Sequence, residues 1–348
     1  MKVLSLFSGI GGLDIGFEKA GHQTVFANDI MKIACESYVK YFKKYRITKL
    51  LTTDEYNKLI TENKLPELPV VNGDVTDINK FPDSDIVTGG FPCQGFSMIG
   101  TRLETDPRNK LYLQFSRVVE KVNPKFFVAE NVRGLLQLYG GRVFEAIKKE
   151  FKHTGKKGYN VKSKLLNAKN YGVAQDRERV IIVGVRRDLD YKYKFPKPTH
   201  GKPDFFGNYF NGQKPFRTLK KEIGRFKEPN EEEIYKGKFS PLYMSRNRKR
   251  DWDDVSFTIQ ANAMHVPIHP DSCNMVKVET DKFVFEPSWG KYRRLTPKEC
   301  LAIQSFDRDY YNKLQGSVQQ QYTQIGNAVP PKLAEAVARA FDNYFSWW

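Results

Sequence analysis

Cysteine is scarce in this chain: four in 348 residues, Cys35, Cys93, Cys273 and Cys300, no two at C-x-x-C spacing. Neither a zinc site nor a dithiol redox pair is indicated. Long apolar runs are missing; none approaches the roughly 20 residues that span a bilayer. The start, Met1 to Phe7, has too short an apolar part for a secretory signal. A cytoplasmic protein with reduced thiols and no membrane partner is therefore expected. No internal repeat and no low-complexity segment is found. Acidic residues are outnumbered, 40 against 57 Lys plus Arg, leaving a formal charge of +17. That imbalance suggests a polyanionic partner, nucleic acid ahead of an anionic membrane surface. His265, His269 and Cys273 share an H-x3-H-x3-C spacing. Pro267 and Pro270 deny them the helix that would align them, so no metal site is expected.

What is present describes an ordinary soluble chain, 40% hydrophobic and 28% charged, long enough for one large domain or two. The stretch that organises it is Gly89-Gly90-Phe91-Pro92-Cys93-Gln94-Gly95-Phe96-Ser97. It follows Asp85-Ile86-Val87-Thr88, which reads as a buried strand. The carboxyl end of such a strand is where open α/β sheets place ligands and chemistry. Pro92 restricts the backbone before Cys93, and the glycines clear room around it. Taken alone, a cysteine there reads as a buried structural one before it reads as a reactive one.

Taken from the start, Val3 to Phe7 form a strand opening into Ser8-Gly9-Ile10-Gly11-Gly12, followed by a helix that Gly21 ends. The next strand, Thr24 to Ala27, finishes at Asn28-Asp29. A glycine-rich βα turn with an acid twenty residues after Gly9 suits a nucleotide whose ribose the acid binds. The G-x-G-G spacing argues against a pyrophosphate and leaves room for a nucleoside cofactor. Residues 38 to 69 are polar and Lys-rich, and read as surface helices. Val70 to Asp74 is a third short strand ending in an acid.

Residues 98 to 109 read as a lid or an ordinary surface loop. A helix from about Lys110 to Val122 leads into Lys125 to Asn131, a strand that ends in Glu130 and Asn131. Glu130 there is either a general acid or an N-cap for the next helix. Residues 161 to 185 read as two strands around Gln175-Asp176-Arg177-Glu178-Arg179. The two arginines, two apart, would point the same way on extended backbone, toward an anion or into structural ion pairs. From about Tyr191 the composition shifts toward Pro, Gly, Lys and Phe without a clear period, marking a second, smaller domain. Within it Ser245 to Arg250 is a basic run beside Trp252, suited to a DNA backbone or to plain solvation. Thr296, Pro297 and Glu299 begin a capped helix. Gly326 to Pro331 turn into an amphipathic final helix from Lys332 to about Phe345.

Six segments in order resemble the motifs of the C5-cytosine DNA methyltransferase family: LFSGIGGLDIGFEKAG, GGFPCQGFS, AENVRGL, NAKNYGVAQDRERV, RRLTPKECLAIQSF and QIGNAVPPKLA. The resemblance covers almost the whole chain. It implies a Rossmann-like, α/β S-adenosylmethionine-dependent methyltransferase fold with a mixed sheet. The catalytic domain would be discontinuous, 1–190 plus 325–348, around a target-recognition domain with hinge at 191–324. It further implies that Phe7 stacks on the cofactor adenine, Asp29 takes the ribose hydroxyls and Asp74 the adenine amino group. Ser8, Gly9, Gly11, Gly12, Ile30, Val75 and Pro92 would complete that site, with Asn327 and Val329 closing it. The segment 38 to 69 is longer than the family's usual link.

The implied chemistry accounts for the residue types. Cytosine C5 is a poor nucleophile, and thiolate attack on C6 pushes electrons into the ring. A free thiol is only about 3% ionised at pH 7 without help. By the resemblance Cys93 is that nucleophile, Glu130 bonds N3, Arg177 holds the base O2 and the Glu130 carboxylate, and Arg179 braces the site, with Asn131 beside them. The base must leave the duplex to be reached, and residues 94 to 109, with Gln94, Ser97, Arg102 and Arg108, would close over it. Arg246, Arg248, Arg250 and Thr258 would read or hold double-stranded DNA, on a short G/C-rich palindrome of the GGCC type. A monomeric modification enzyme is expected, sharing its site with a cognate restriction endonuclease but forming no stable complex with it. A tRNA cytosine methylase and a non-catalytic nucleotide- or DNA-binding module are the competing readings. The large basic second domain weighs against the first, and Cys93, Glu130 and Arg177 together weigh against the second.

Overall fold

The computed structural model describes residues 1–92, 111–286, 291–342 and 344. The chain divides into two compact units. One comprises 1–166, 178–197 and 334–348; the other comprises 167–177 and 198–333.

The first unit is built on one eight-stranded sheet. In chain order its elements are β1 (Lys2–Leu6), α1 (Gly12–Lys19), β2 (Gln23–Asp29), α2 (Lys32–Phe42), β3 (Thr48–Thr52), α3 (Thr53–Thr61), β4 (Leu68–Asn72), β5 (Ile86–Gly89), α4 (Leu111–Val122), β6 (Phe126–Val132), α5 (Arg142–His153), β7 (Tyr159–Asn167) and β8 (Glu178–Arg186). The strand order is β3-β4-β2-β1-β5-β6-β8-β7. From β3 to β6 all pairs are parallel, whereas β8 runs antiparallel to β6, so the sheet is mixed. The central strands are apolar on both faces because helices cover both sides. α4 buries Phe115, Val118 and Val119, and α5 buries Phe144, Ile147 and Phe151, the i, i+3, i+7 stripe of an amphipathic helix.

Residues 38 to 69 do not form helices alone. Between α2 and α3 the chain inserts β3, which extends the sheet by one parallel edge strand, Thr48 opposite Leu68 through Thr52 opposite Asn72. Leu51 alone in β3 is buried. The edge position leaves the strand little apolar alternation to be read. Thr52 and Glu55 close a capping box that starts α3, and Tyr56 sinks into the core with its hydroxyl on the Lys80 carbonyl at 3.1 Å.

The chain's end rejoins this unit. The last helix, Pro331–Arg339, passes into it at Ala334. Tyr193 donates its hydroxyl to the Val337 carbonyl at 3.0 Å, and Phe341 packs on Phe126 with ring centroids 5.0 Å apart.

The second unit has little regular structure. It contains the short pair β9 (His200–Gly201) and β10 (Lys214–Pro215), α6 (Leu219–Ile223), the hairpin β11 (Met275–Glu279) and β12 (Lys282–Phe285), α7 (Pro297–Ile303) and α8 (Val318–Asn327). The final helix is α9. Thr296 and Glu299 form the capping box of α7, with Pro297 in its first turn. Buried Glu299 also takes both Nη atoms of Arg293, at 2.9 and 3.0 Å. A carboxylate that accepts the Thr296 N–H of the cap and both arms of an arginine fork has its hydrogen-bonding capacity met on burial.

Candidate active site

β1 ends at Leu6, and the next residue, Phe7, sits at φ +52°, a left-handed conformation uncommon for an aromatic. The turn then runs through Gly9 (φ +53°) and Gly11 (φ +79°), which precedes α1. A Cβ built on Gly9 meets nothing within 4 Å, whereas one on Gly11 would lie 2.8 Å from the Tyr38 ring. Gly9 therefore lines open space, and Gly11 and the buried Gly12 serve the packing of the turn. Ser8 bonds the Asn28 carbonyl through both its N–H and its hydroxyl, at 3.0 and 3.2 Å. The sheet order places β2 next to β1, so Asp29 reaches back under this turn. One Asp29 oxygen accepts the Gly9 N–H and the other the Met31 N–H, each at 2.8 Å. Burial raises the Asp29 pKa, and these backbone donors oppose it.

Beside Asp29, Ile30 is 71% exposed, an apolar surface lying open next to a carboxylate. At the end of β4, Asp74 accepts the Thr76 N–H at 2.8 Å. Val75 itself is buried, and its carbonyl takes Arg117 Nη2 at 2.6 Å. Asn28 and Asn72 lace the ends of β2 and β4 together through the Val71, Gly73, Asp29 and Ile30 carbonyls. Sequence reasoning missed Arg117, Asn28 and Asn72. The two asparagines were visible as polar residues closing apolar strands, but Arg117 gives no local signal. Phe7, Ile30, Asp29 and Asp74 offer two apolar faces and two carboxylates around an open glycine turn, a set that fits a nucleoside cofactor.

β5 and β6 are neighbours, and their carboxyl ends bring the second half of the site together. Phe91 is buried against Phe115 and Phe151, with centroids 6.1 and 6.2 Å away. Asn131 donates to the Phe91 carbonyl at 3.0 Å, fastening the backbone just ahead of Pro92 to the end of β6. Glu130 is 8% exposed, and a Cβ on Gly90 would stand 3.0 Å from its Oε2. The following helical turn is capped by Val132 with no side-chain bond, so Glu130 is not its N-cap. Instead Arg179, from the antiparallel neighbour β8, places Nε 2.9 Å from Glu130 Oε1. Burial pushes the Arg179 pKa down and the Glu130 charge pushes it back up.

Arg177 lies elsewhere in the bonding pattern. Its guanidinium is buried in the second unit and donates to the Ile259, Gly326 and Ala328 carbonyls at 2.8 to 3.0 Å. The arginine seen to hold Glu130 is Arg179. Arg179 lies within a strand and Arg177 just before it. β8 begins at Glu178, while Gln175 bridges to Ser256 and Asp176 N–H bonds the Ser256 carbonyl.

Of the other anticipated residues, Asn327 is exposed at the end of α8 and Val329 is buried just beyond it, both in the second unit. Arg246 is exposed. Arg248 donates to the Tyr243 carbonyl at 2.8 Å, and Arg250 lies 3.9 Å from the Phe257 ring centre. The Thr258 hydroxyl donates to the Asp176 carbonyl at 2.6 Å. Cys93, Gln94, Ser97, Arg102 and Arg108 lie outside the described residues.

A mixed sheet with a glycine turn after β1 and a carboxylate–arginine pair joining β6 to β8 is the Rossmann-like fold of S-adenosylmethionine-dependent methyltransferases. Solved structures share it across nearly their whole length. An Entamoeba histolytica methyltransferase, EhMeth, superposes with a TM-score of 0.64 at 18% identity, over 99% of this chain and 98% of its own. The S. pombe Dnmt2 methyltransferase does so at 0.62 and 17%, over 99% of each. Sequence narrows the class further. Residues 1–343 match the family of C-5 cytosine-specific DNA methylases, and the chain belongs to it. It is 42% identical over 360 positions to the type II methyltransferase M.BspRI of Lysinibacillus sphaericus, covering 99% of this chain and 82% of that one. It is 41% identical over 346 positions to the type II methyltransferase M.MthTI of Methanothermobacter thermautotrophicus, covering 97% and 96%. The protein is a DNA cytosine-5-methyltransferase.

Proposed function

We propose that this enzyme methylates C5 of one cytosine within a short duplex site, using S-adenosylmethionine, a flipped base and a covalent bond from Cys93 to C6. The observation that carries this reading is the Glu130–Arg179 pair, buried at the end of β6 and adjoining the backbone that leads to Cys93. S-adenosylmethionine, when bound, supplies an electrophilic methyl group and leaves as the neutral thioether. Phe7 and Ile30 offer its nucleoside apolar faces, Asp29 the ribose acceptor, and Asp74 an acceptor for the adenine amino group.

The chain's own residues do the rest. The Cys93 thiolate adds to C6, and the electron pair displaced from the C5–C6 double bond makes C5 nucleophilic. Glu130 hydrogen-bonds N3 and supports the electron density that accumulates in the ring. Arg179 holds the Glu130 carboxyl in place and takes the role at the base O2 expected of Arg177. Once C5 carries the methyl group, its proton passes to a base. The C5–C6 double bond re-forms and Cys93 leaves as thiolate. The same step inside a stacked duplex would leave C6 out of reach, which is why the base is extruded.

Relatives termed type II methyltransferases support a place in restriction-modification, where a nuclease shares the site without binding this monomer. The cytoplasm, which keeps thiols reduced, suits a cysteine nucleophile. Bisulfite sequencing of host DNA with and without the expressed protein is the test. Protected cytosines confined to one short motif, expected to be a G/C-rich palindrome such as GGCC, support the reading. Cys93→Ala should abolish protection while S-adenosylmethionine still binds. Protection that survives this substitution would sink the covalent mechanism.

A further inference from the structure

Most large apolar side chains in the second unit are buried, but Phe205, Phe206 and Phe210 are 98%, 84% and 75% exposed. Phe205 and Phe206 occupy one small hairpin, closed by an antiparallel bridge between Pro203 and Tyr209, and Phe210 follows it directly. Its tip is a built turn. Asp204 Oδ1 accepts the Phe206 and Asn208 N–H groups at 2.9 and 2.8 Å, and the Asp204 N–H meets the Asn208 carbonyl at 2.7 Å. Gly207 supplies the left-handed residue the turn requires, at φ +83°. The Phe205 and Phe206 rings stand edge to face, 5.5 Å apart, so two faces point outward at once. Two exposed aromatics on a preformed turn, with a third just beyond it, are a costly surface unless something covers them.

The base of the hairpin says what that is. Exposed Lys202 and Lys214 flank it, and Lys214 pairs with His200 across the β9–β10 ladder. Burial lowers the His200 pKa, and the charges of Lys332, Lys214, Arg217 and Lys221 lower it further. The aromatic tip thus rises from a cluster of cations. Cations that reach phosphates beside apolar side chains that pack on base or sugar faces are the pattern of a DNA-contacting wedge.

We propose that the 203–209 hairpin is a DNA contact of this enzyme, with Phe205 and Phe206 packing against the duplex and Lys202 and Lys214 on its phosphates. The proposal rests on the reading that the chain acts on duplex DNA. Fluorescence-anisotropy titration of a labelled duplex carrying the methylated site tests it, over a salt series, with the full chain. Phe205→Ala/Phe206→Ala should weaken binding on the order of tenfold with an unchanged salt slope, since no charge is lost. Lys202→Ala/Lys214→Ala should lower the slope of log K against log salt by about 2. Both pairs are exposed, so their melting curves should match the parent's, and kcat at saturating DNA should hold while KM rises.

A Phe variant that binds within twofold of an active parent overturns the proposal and leaves the methylase reading intact. A parent that neither binds nor methylates duplex overturns both. A parent that sediments as a dimer, which the Phe variant dissolves without loss of DNA affinity, assigns the tip to a second copy and also overturns it.

Discussion

Two arginines two residues apart carry different work, and substitution separates them. Arg179 touches the carboxylate of the site, so Arg179→Lys keeps the charge but loses the planar donor set that holds Glu130. Its kcat should fall by about a hundredfold, the usual cost of one lost transition-state donor, with a normal melting curve. Arg177 is tied to three backbone carbonyls. Arg177→Ala should lower folding stability by about 4 kcal/mol, because each buried acceptor left bare costs about 1–3 kcal/mol. Urea midpoints beside single-turnover rates distinguish the two, and a stable but inactive Arg177→Ala would reverse the assignment. Asp14 gives a third test. Burial pushes its carboxyl up to about 6, against the hydroxyls of Ser5 and Tyr38. Folded Asp14 keeps its proton to about pH 6, whereas the unfolded chain releases it near 4. The stability this contributes is complete below pH 4 and is lost as pH rises through 6. Asp14→Asn stays neutral throughout, so its unfolding free energy relative to the parent should rise by about 3 kcal/mol from pH 4 to pH 7. Equal differences at both ends would show that Asp14 does not titrate in this window.

Elements whose edges carry local chemistry are legible in the sequence alone. The turn after β1, the capping box at Thr296 and the acids Asp29, Asp74 and Glu130 all announce themselves by residue type; Asp29 closes β2, whereas β4 stops at Asn72, two residues before Asp74, and β6 runs past Glu130 to Val132. Elements defined by neighbours are not. β3 reads as polar because an edge strand with one buried residue has no apolar period to display. Residues 191 to 240 show no period because they form turns, two-residue strands and one short helix. Which arginine meets Glu130 is not legible either, because the start of β8 is set by a partner strand, not by the local sequence. Close packing between elements is equally silent in sequence yet decides what a position tolerates. A Cβ on Gly326, in α8, would lie 2.2 Å from the Ala261 nitrogen and 2.3 Å from the Gln260 carbonyl carbon. Backbone cannot yield as a side-chain end can. Gly326→Ala should therefore destabilise by about 3 kcal/mol or more, at the upper end of overpacking costs. Thr296→Ala, which removes only a cap, should cost about 1 kcal/mol. Thermal melts of the pair should rank in that order.

At the scale of the whole molecule the +17 charge becomes a property of binding rather than of chemistry. The basic residues that produce it are spread over both units, while Glu130 and Arg179, the groups proposed to act on the base, are buried as a nearly neutral pair. Salt should accordingly act on the two stages differently. Each phosphate neutralised releases condensed counterions and adds about 0.9 to the slope of log K against log salt. With about six such contacts, duplex affinity should fall about a thousandfold between 50 and 200 mM salt. The buried pair is shielded from mobile ions, whose reach at these concentrations is about 10 Å through solvent. Turnover at saturating DNA should therefore change little while KM climbs steeply. Initial-rate measurements across that salt range, with DNA varied at each concentration, read both quantities. A kcat that falls in step with affinity would place exposed charges in the chemical step itself and contradict a catalytic centre built on a buried ion pair.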